Sequence, residues 1–386
     1  MSGDDENPFG AFPFLGDMMK ALAGQGPLNW DVARQVAFMT AGSDTRNVDP
    51  GSRIAFEQLA PLAHRHVADL LSPAVDIAEP SIECMTTVQW CHSTLDAYRP
   101  IFDNLATALG RRAPADTDDP MSSLMGGLTG AMAPMMLGMT IGSMIGQMSL
   151  RAFGNYDLLL PRATDRPVGV VPANIEAFAS DWSLGADEIR MWVLVHEMSA
   201  RAVLSVAHVR TALLDAVNAY VAAFVPDPEA VIEKLSGLDV EASDPMAAIQ
   251  RSLSDPAILL GAVISPAQQD LRPRLDALLA ATVGLLDWVV DSATQRLLGG
   301  SPAISEALRR RRVEESPTDR LVEHLLGIHH TRATIERGRR FVAGVIERAA
   351  PDTLFEMLKR EDGLPTPAEV DAPGLWLARL GIDPTL

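Results

Sequence analysis

The residues best placed to do chemistry are His196 and Glu197, set in the nearly apolar run Trp192–Arg201. In the pattern His-Glu-x-x-His, two imidazoles one helical turn apart hold zinc. The Glu between them takes a proton from the metal-bound water. Here the second His position is Ala200. Asp187 and Glu188 put negative charge in the first turn, and neither Pro nor Gly interrupts residues 186–206, so the stretch reads as helix. At about 100° per residue, positions 196 and 200 share a face. The dipeptide alone reads most simply as a buried His paired with a carboxylate.

A catalytic zinc takes three protein ligands and leaves one position open for water. Substitute donors exist in the sequence. His208 follows His196 by twelve residues, about 120° around an unbroken helix. Asp287 and Asp291 stand one turn apart on a later helix, and His324, His329 and His330 cluster near a helix end. Each reads first as a surface or satisfied polar residue. Arg201, four residues after Glu197, is spaced to pair with it and to fill a cation's place. No glycine-rich phosphate loop follows a strand, and no Gly-x-Ser-x-Gly is present. Ser199 and Ser205 share the helix of His196 with no acid to orient it, so they make no triad.

Periodicity predicts a mainly α fold with a small β-sheet (α+β). Helices are expected at residues 31–40, 50–71 and 81–109, the last kinked or restarted at Pro100. Further helices are expected at 174–180, 186–206, 207–224, 266–298, 301–313, 317–327 and 331–349, with two short ones ending near Leu380. The best strand is 167–172, a β-branched run (Val168, Val170, Val171) between prolines. Residues 1–26 read as a loosely ordered arm with a short helix at 15–22. Residues 27–386 read as one large domain, with points of subdivision near 112–120 and 226–265 left open; 227–245 is acidic with a short helix inside it.

Residues 121–150 carry no charge, enough length to cross a bilayer. They also show small-xxx-small spacings at Gly126/Gly130, Gly138/Gly142 and Gly142/Gly146. Against a span, Pro134 divides the run, Gly, Ser, Thr and Met are abundant, and no basic cluster flanks it. The segment reads as two buried helices packed through glycine, with Met filling gaps.

The 386 residues are 47% hydrophobic, enough for a sizeable core, and carry a formal charge of -18. Such an acidic chain excludes nucleic acid as the expected partner. The basic run Arg309–Arg312, beside Glu314 and Glu315, reads as a solvated helix face. Cys84 and Cys91, seven apart on one helix, would be about 10 Å from each other, too far for a disulfide. They read as reduced core residues, and 1–6 lack the start of a signal peptide, so the expected location is the cytoplasm.

The sequence resembles a family of zincin-like hydrolases common in actinobacteria, known as zinc-dependent metalloproteases. The resemblance runs from about Gly26 to Gly381. It rests on Gly26-Pro27-Leu28-Asn29-Trp30-Asp31, Gly154-Asn155-Tyr156-Asp157, Val171-Pro172-Ala173-Asn174-Ile175 and Asp181-Trp182-Ser183-Leu184 ahead of the His-Glu helix. It continues through Glu306-Ala307-Leu308 with the arginines after it, Gly338-Arg339-Arg340-Phe341 and Trp376-Leu377-Ala378-Arg379. The resemblance implies a zincin-like architecture with the His-Glu helix buried at its centre and the substrate backbone along a sheet edge. It implies a zinc cofactor held by His196, with Glu197 as the general base. A third ligand, a Glu before a Gly on the helix after Pro266, aligns with Val283-Gly284. Ala200 and Val283 would then stand at two ligand positions. The expectation is a degenerate member with no cofactor, acting as a non-catalytic binding or scaffold protein for a protein or peptide. The alternative is an active zinc hydrolase with other ligands, and a third reading is a membrane-associated protein; the oligomeric state is left open. If 121–150 is core, the protein is soluble without detergent. Recovery only in membranes that resist high-salt washing would overturn that.

Overall fold

The structure is a computed structural model and describes residues 26–42, 47–110, 120–226, 262–299, 302–313, 316–328 and 331–383. Among them run α1 (Trp30–Ala41), α2 (Pro50–Leu71), β1 (Ile82–Cys84), α3 (Thr87–Ala97), α4 (Arg99–Leu109) and α5 (Pro120–Ser149). Next come β2 (Val168–Val170), α6 (Pro172–Asp181), α7 (Ala186–Ser205), α8 (Ala207–Ala222), β3 (Val225–Pro226) and β4 (Ala262–Val263). The C-terminal part holds α9 (Pro266–Leu298), α10 (Pro302–Val313), α11 (Pro317–Leu326) and α12 (Arg332–Ile346). A 3-10 turn (Pro351–Phe355) and the short α13 (Glu356–Lys359), α14 (Pro367–Asp371) and α15 (Pro373–Leu380) finish the chain. The fold is mainly α with a small sheet, as the periodicity predicts. Caps explain many of the boundaries: Thr86 with Gln89 and Ser265 with Gln268 form capping boxes, and Gly299 and Gly327 close α9 and α11 at positive φ.

Two seams of small residues bring helices into backbone contact. On α5, Gly138, Gly142 and Gly146 lie against Asn29 O, Ala33 O and Thr40 of α1, each too close for a Cβ. The spacing that resembled a membrane dimer motif is thus used inside the fold. The Gly126/Gly130 pair falls outside the residues whose packing is described. On α9 and α12, Gly284 and Gly338 cross, and a Cβ on Gly338 would strike Ala280 O. Among the described residues one helix, Pro266–Leu297, is long and apolar enough to cross a membrane, and 72% of its apolar window is buried. α7 packs against α2, α9, α8 and β2.

β1 and β2 pair in parallel, with Ile82 opposite Val168 and Cys84 opposite Val170. The far side of β2 is taken by the chain itself. Gly154 bridges Val170 antiparallel, Asn155 N donates to Gly169 O (3.2 Å), and Val171 N donates to Phe153 O (2.8 Å). β2 therefore has no free edge for a substrate strand. β3 and β4 form a separate antiparallel pair.

Three expectations are corrected. The helix predicted over 81–109 begins as β1, because β2 captures residues 82–84. At Tyr98 (φ -105°) the helix stops and restarts as α4, the second of the two readings of Pro100, which sits in the first turn where its missing N–H costs nothing. The segment around Pro134 is one helix and not two; burial of its glycine face against α1 outweighs one lost backbone bond. Cys84 and Cys91 do not share a helix, since Cys84 ends β1 while Cys91 lies in α3. Both are free and buried, and burial pushes both thiols up to about 11. The arm, the linker at 112–119 and the acidic stretch 227–245 lie outside the described residues.

The α9–α12 crossing tolerates no side chain. Gly338→Ala should lower stability by about 1–3 kcal/mol, although alanine is the better helix former by about 1 kcal/mol. Urea unfolding reads the difference, and an unchanged midpoint would mean that the crossing is loose.

Candidate functional site

Glu197 sits mid-helix in α7 and is 1% exposed. Its carboxylate lies on the Cα of Gly154, where any Cβ would overlap it. Oε2 accepts from Tyr156 N (3.0 Å), and Oε1 is 3.1 Å from His196 Nδ1. The Gly154 carbonyl is fixed by Trp90 Nε1 (2.6 Å), and Asn174 donates to Ser149 O and Ala152 O, both at 2.8 Å. The strand-like segment 153–155 is thereby held between β2 and the His-Glu helix.

Asp157 finishes this cradle. Its Oδ2 accepts from Phe153 N and Gly154 N (2.9 Å for Gly154), and its Oδ1 pairs with Arg311 at 2.9 Å. Arg311 also donates to Arg151 O (2.7 Å), and its guanidinium carbon is 3.7 Å from the centre of the Phe153 ring. Burial by itself would raise the Asp157 carboxyl. The Arg311 guanidinium, followed by the Gly154 N–H, holds it below its ordinary value instead. Burial pushes Glu197 the other way, above the ordinary carboxylate value, against the pull of the His196 hydrogen bond. Glu197 thus favours the fold most at low pH, and its contribution is lost as pH rises through the raised value. Asp157 contributes above 3.8 and loses that contribution as pH falls through its lowered value.

His196 is stacked on Trp192, with ring centroids 5.2 Å apart and planes 17° apart. Nδ1 is engaged by Glu197, and Nε2 has no partner among the described residues. Beside it lies a cavity of about 170 Å³ lined by His196, Glu197, Val283 and Asp287 together with Tyr156, Asp157 and Arg311. The structure therefore brings together His196, Glu197, Val283 and Asp287. Ala200 is fully buried and does not line the cavity.

Other candidates lie elsewhere. Arg201 does not pair with Glu197; it donates to the backbone carbonyls of Thr164 and Arg166, because its side chain leaves α7 toward that loop. His208 is 2.8 Å from Met357 O, Asp291 is exposed, and His324 packs beside Phe224. His329 and His330 lie outside the described residues. The basic run is not uniformly solvated: Arg309 and Arg310 pair with Glu306, but Arg311 turns inward to Asp157.

Residues 28–377 match the sequence profile of a family described as zincin-like metallopeptidase. The chain belongs to the zincin-like metallopeptidase family. No curated protein sequence matches it. A crystal structure from Chloroflexus aurantiacus, described as a provisional hydrolase with a novel fold, is similar at TM-score 0.60 and 19% identity. The likeness covers 92% of this chain and 99% of that one, and shows the shared fold.

The family implies zinc. Among the described residues, no three His, Cys, Asp or Glu converge as a metal would need. His196 is one donor, Asp157 is held by Arg311, Glu197 is turned to Tyr156 N, and positions 200 and 283 are apolar. This donor set does not fit a catalytic zinc.

In the sequence, Gly154-Asn155-Tyr156-Asp157 stands out only as part of the family resemblance. The structure makes it the cradle of Glu197. A glycine followed by a short run ending in Asp was the available signal, but nothing local pointed to a carboxylate 41 residues away. Arg311→Met leaves Asp157 short of its counter-charge. It should cost about 2 kcal/mol near pH 7, less than a fully buried pair would because both side chains keep some solvent contact. The gap from the parent protein should close as pH falls below 3.8, since a protonated Asp157 no longer needs Arg311. Equal losses by urea unfolding near pH 7 and near pH 3 would overturn this charge-based account.

Proposed function

We propose that this chain is a degenerate member of its family, which binds a protein or peptide without cleaving it. The observation that carries the reading is the engagement of Glu197. The residue that would take a proton from metal-bound water is 1% exposed, with its oxygens at Tyr156 N and His196 Nδ1. A general base must reach the proton it removes. Ala200 and Val283 at the ligand positions, and a β2 edge filled by 153–155, support the same reading. With Glu197 turned to the cradle, its role becomes holding the imidazole ring and the Gly154 segment in place. We further propose that the protein works in the cytoplasm.

A second reading, an active zinc hydrolase with other ligands, is favoured by one observation: Asp287 lines the same cavity as His196. Elemental analysis of protein purified without added metal or a metal-binding tag separates the two. The expected result is well below one zinc per chain. Ala200→His should raise zinc affinity modestly and Ala200→His with Val283→Glu much further, while Glu197→Gln should change stability more than any activity. One zinc per chain, removed by chelator together with a peptidase activity that needs Glu197, would overturn the degenerate reading.

A further inference from the structure

We propose that the cavity beside His196 binds a small neutral phenol, its ring among apolar side chains and its hydroxyl on His196 Nε2. The proposal rests on the metal-free reading of the site. Size comes first. An apolar cavity of about 150 Å³ admits benzene, and this one measures about 170 Å³. Val283, Leu286, Leu308, Val322, Ile328 and Ile335 supply its apolar wall. A single ring fits that volume.

The polar end selects a hydroxyl. Nδ1 faces Glu197 Oε1 at 3.1 Å, so Nε2 is the nitrogen that meets a ligand, as donor or as acceptor according to the tautomer. A hydroxyl both donates and accepts, so it satisfies either arrangement. A charged end finds no desolvated counter-charge. Arg311 is taken by Asp157, Arg151 by Asp319 and Glu323 by Arg272, Asp287 already has an interaction within the fold, and Arg320 is exposed to water.

Calorimetric titration of zinc-free protein with phenol and with toluene tests the proposal, because toluene keeps the size and lacks the hydroxyl. Phenol should bind one site saturably. His196→Phe keeps a ring beside Trp192 and removes Nε2. It should weaken phenol by about five- to tenfold, the worth of one hydrogen bond, while toluene changes by less than about twofold. Val283→Phe fills the cavity and should weaken both. If His196→Phe does not fold, the 15N resonance of His196 Nε2 in the parent protein must move markedly further with phenol than with toluene, because only phenol brings a hydrogen-bond partner to that nitrogen. Zinc-free protein that shows no saturable phenol binding, an equal loss of phenol and toluene in His196→Phe, or full binding in Val283→Phe would overturn the proposal. One zinc per chain in the same sample would defeat the metal-free reading beneath it.

Discussion

The centre of this molecule depends on one buried carboxylate being satisfied. Moving Glu197 out of water costs several kcal/mol unless hydrogen bonds replace the solvent. Tyr156 N and His196 Nδ1 supply them. That solution requires segment 153–155 to lie directly against α7, and only glycine at 154 allows the approach. The same segment completes the sheet beside β2, and Asp157 at its end draws in Arg311 from α10. Helix, sheet edge and C-terminal half are therefore joined through a single acid and its partners.

The glycine seams set the distances around this centre. α5 reaches α1 through Gly138, Gly142 and Gly146, and it then delivers the chain to the 153–155 segment. α9 is pressed on α12 through Gly284 and Gly338, and α9 also carries Val283 and Asp287 to the cavity. Backbone contact at these crossings leaves no slack on the helical side of the cavity, and the segment that carries Phe153, Tyr156 and Asp157 closes the other side. The interior tolerates little change in volume where such contacts occur.

The chemistry available at the site follows from what surrounds the imidazole. In the family, the His-Glu helix is the place for a metal. In this chain the described neighbours of His196 are an indole face, a carboxylate committed to the backbone and a cavity wall that is apolar along Val283 and Leu286 and charged at Asp157, Arg311 and Asp287. The charges near the cavity are largely matched in pairs, which lowers the electrostatic cost of closing them off from water. The likeness to the Chloroflexus aurantiacus structure extends over nearly the whole chain, but at 19% identity it speaks for the fold alone.

Much of the secondary structure was legible in the sequence because it is governed by local rules. Apolar period and an opening proline placed α2 and α9 at the residues observed, in spite of Pro61 and Pro273 inside them, and the β-branched run between Pro167 and Pro172 yielded β2. The His-Glu pair and the alanine one turn after it were visible for the same reason, since i,i+4 geometry belongs to the helix itself. β1 was hidden, because residues 82–84 are extended only where β2 pairs with them. Arg201 was assigned to Glu197 by spacing and went instead to the 164–166 carbonyls. Arg311 was assigned to solvent and went to Asp157. Tertiary structure decided these because a long arginine side chain follows the nearest unsatisfied acceptor, and which acceptor is nearest depends on segments far away in the chain.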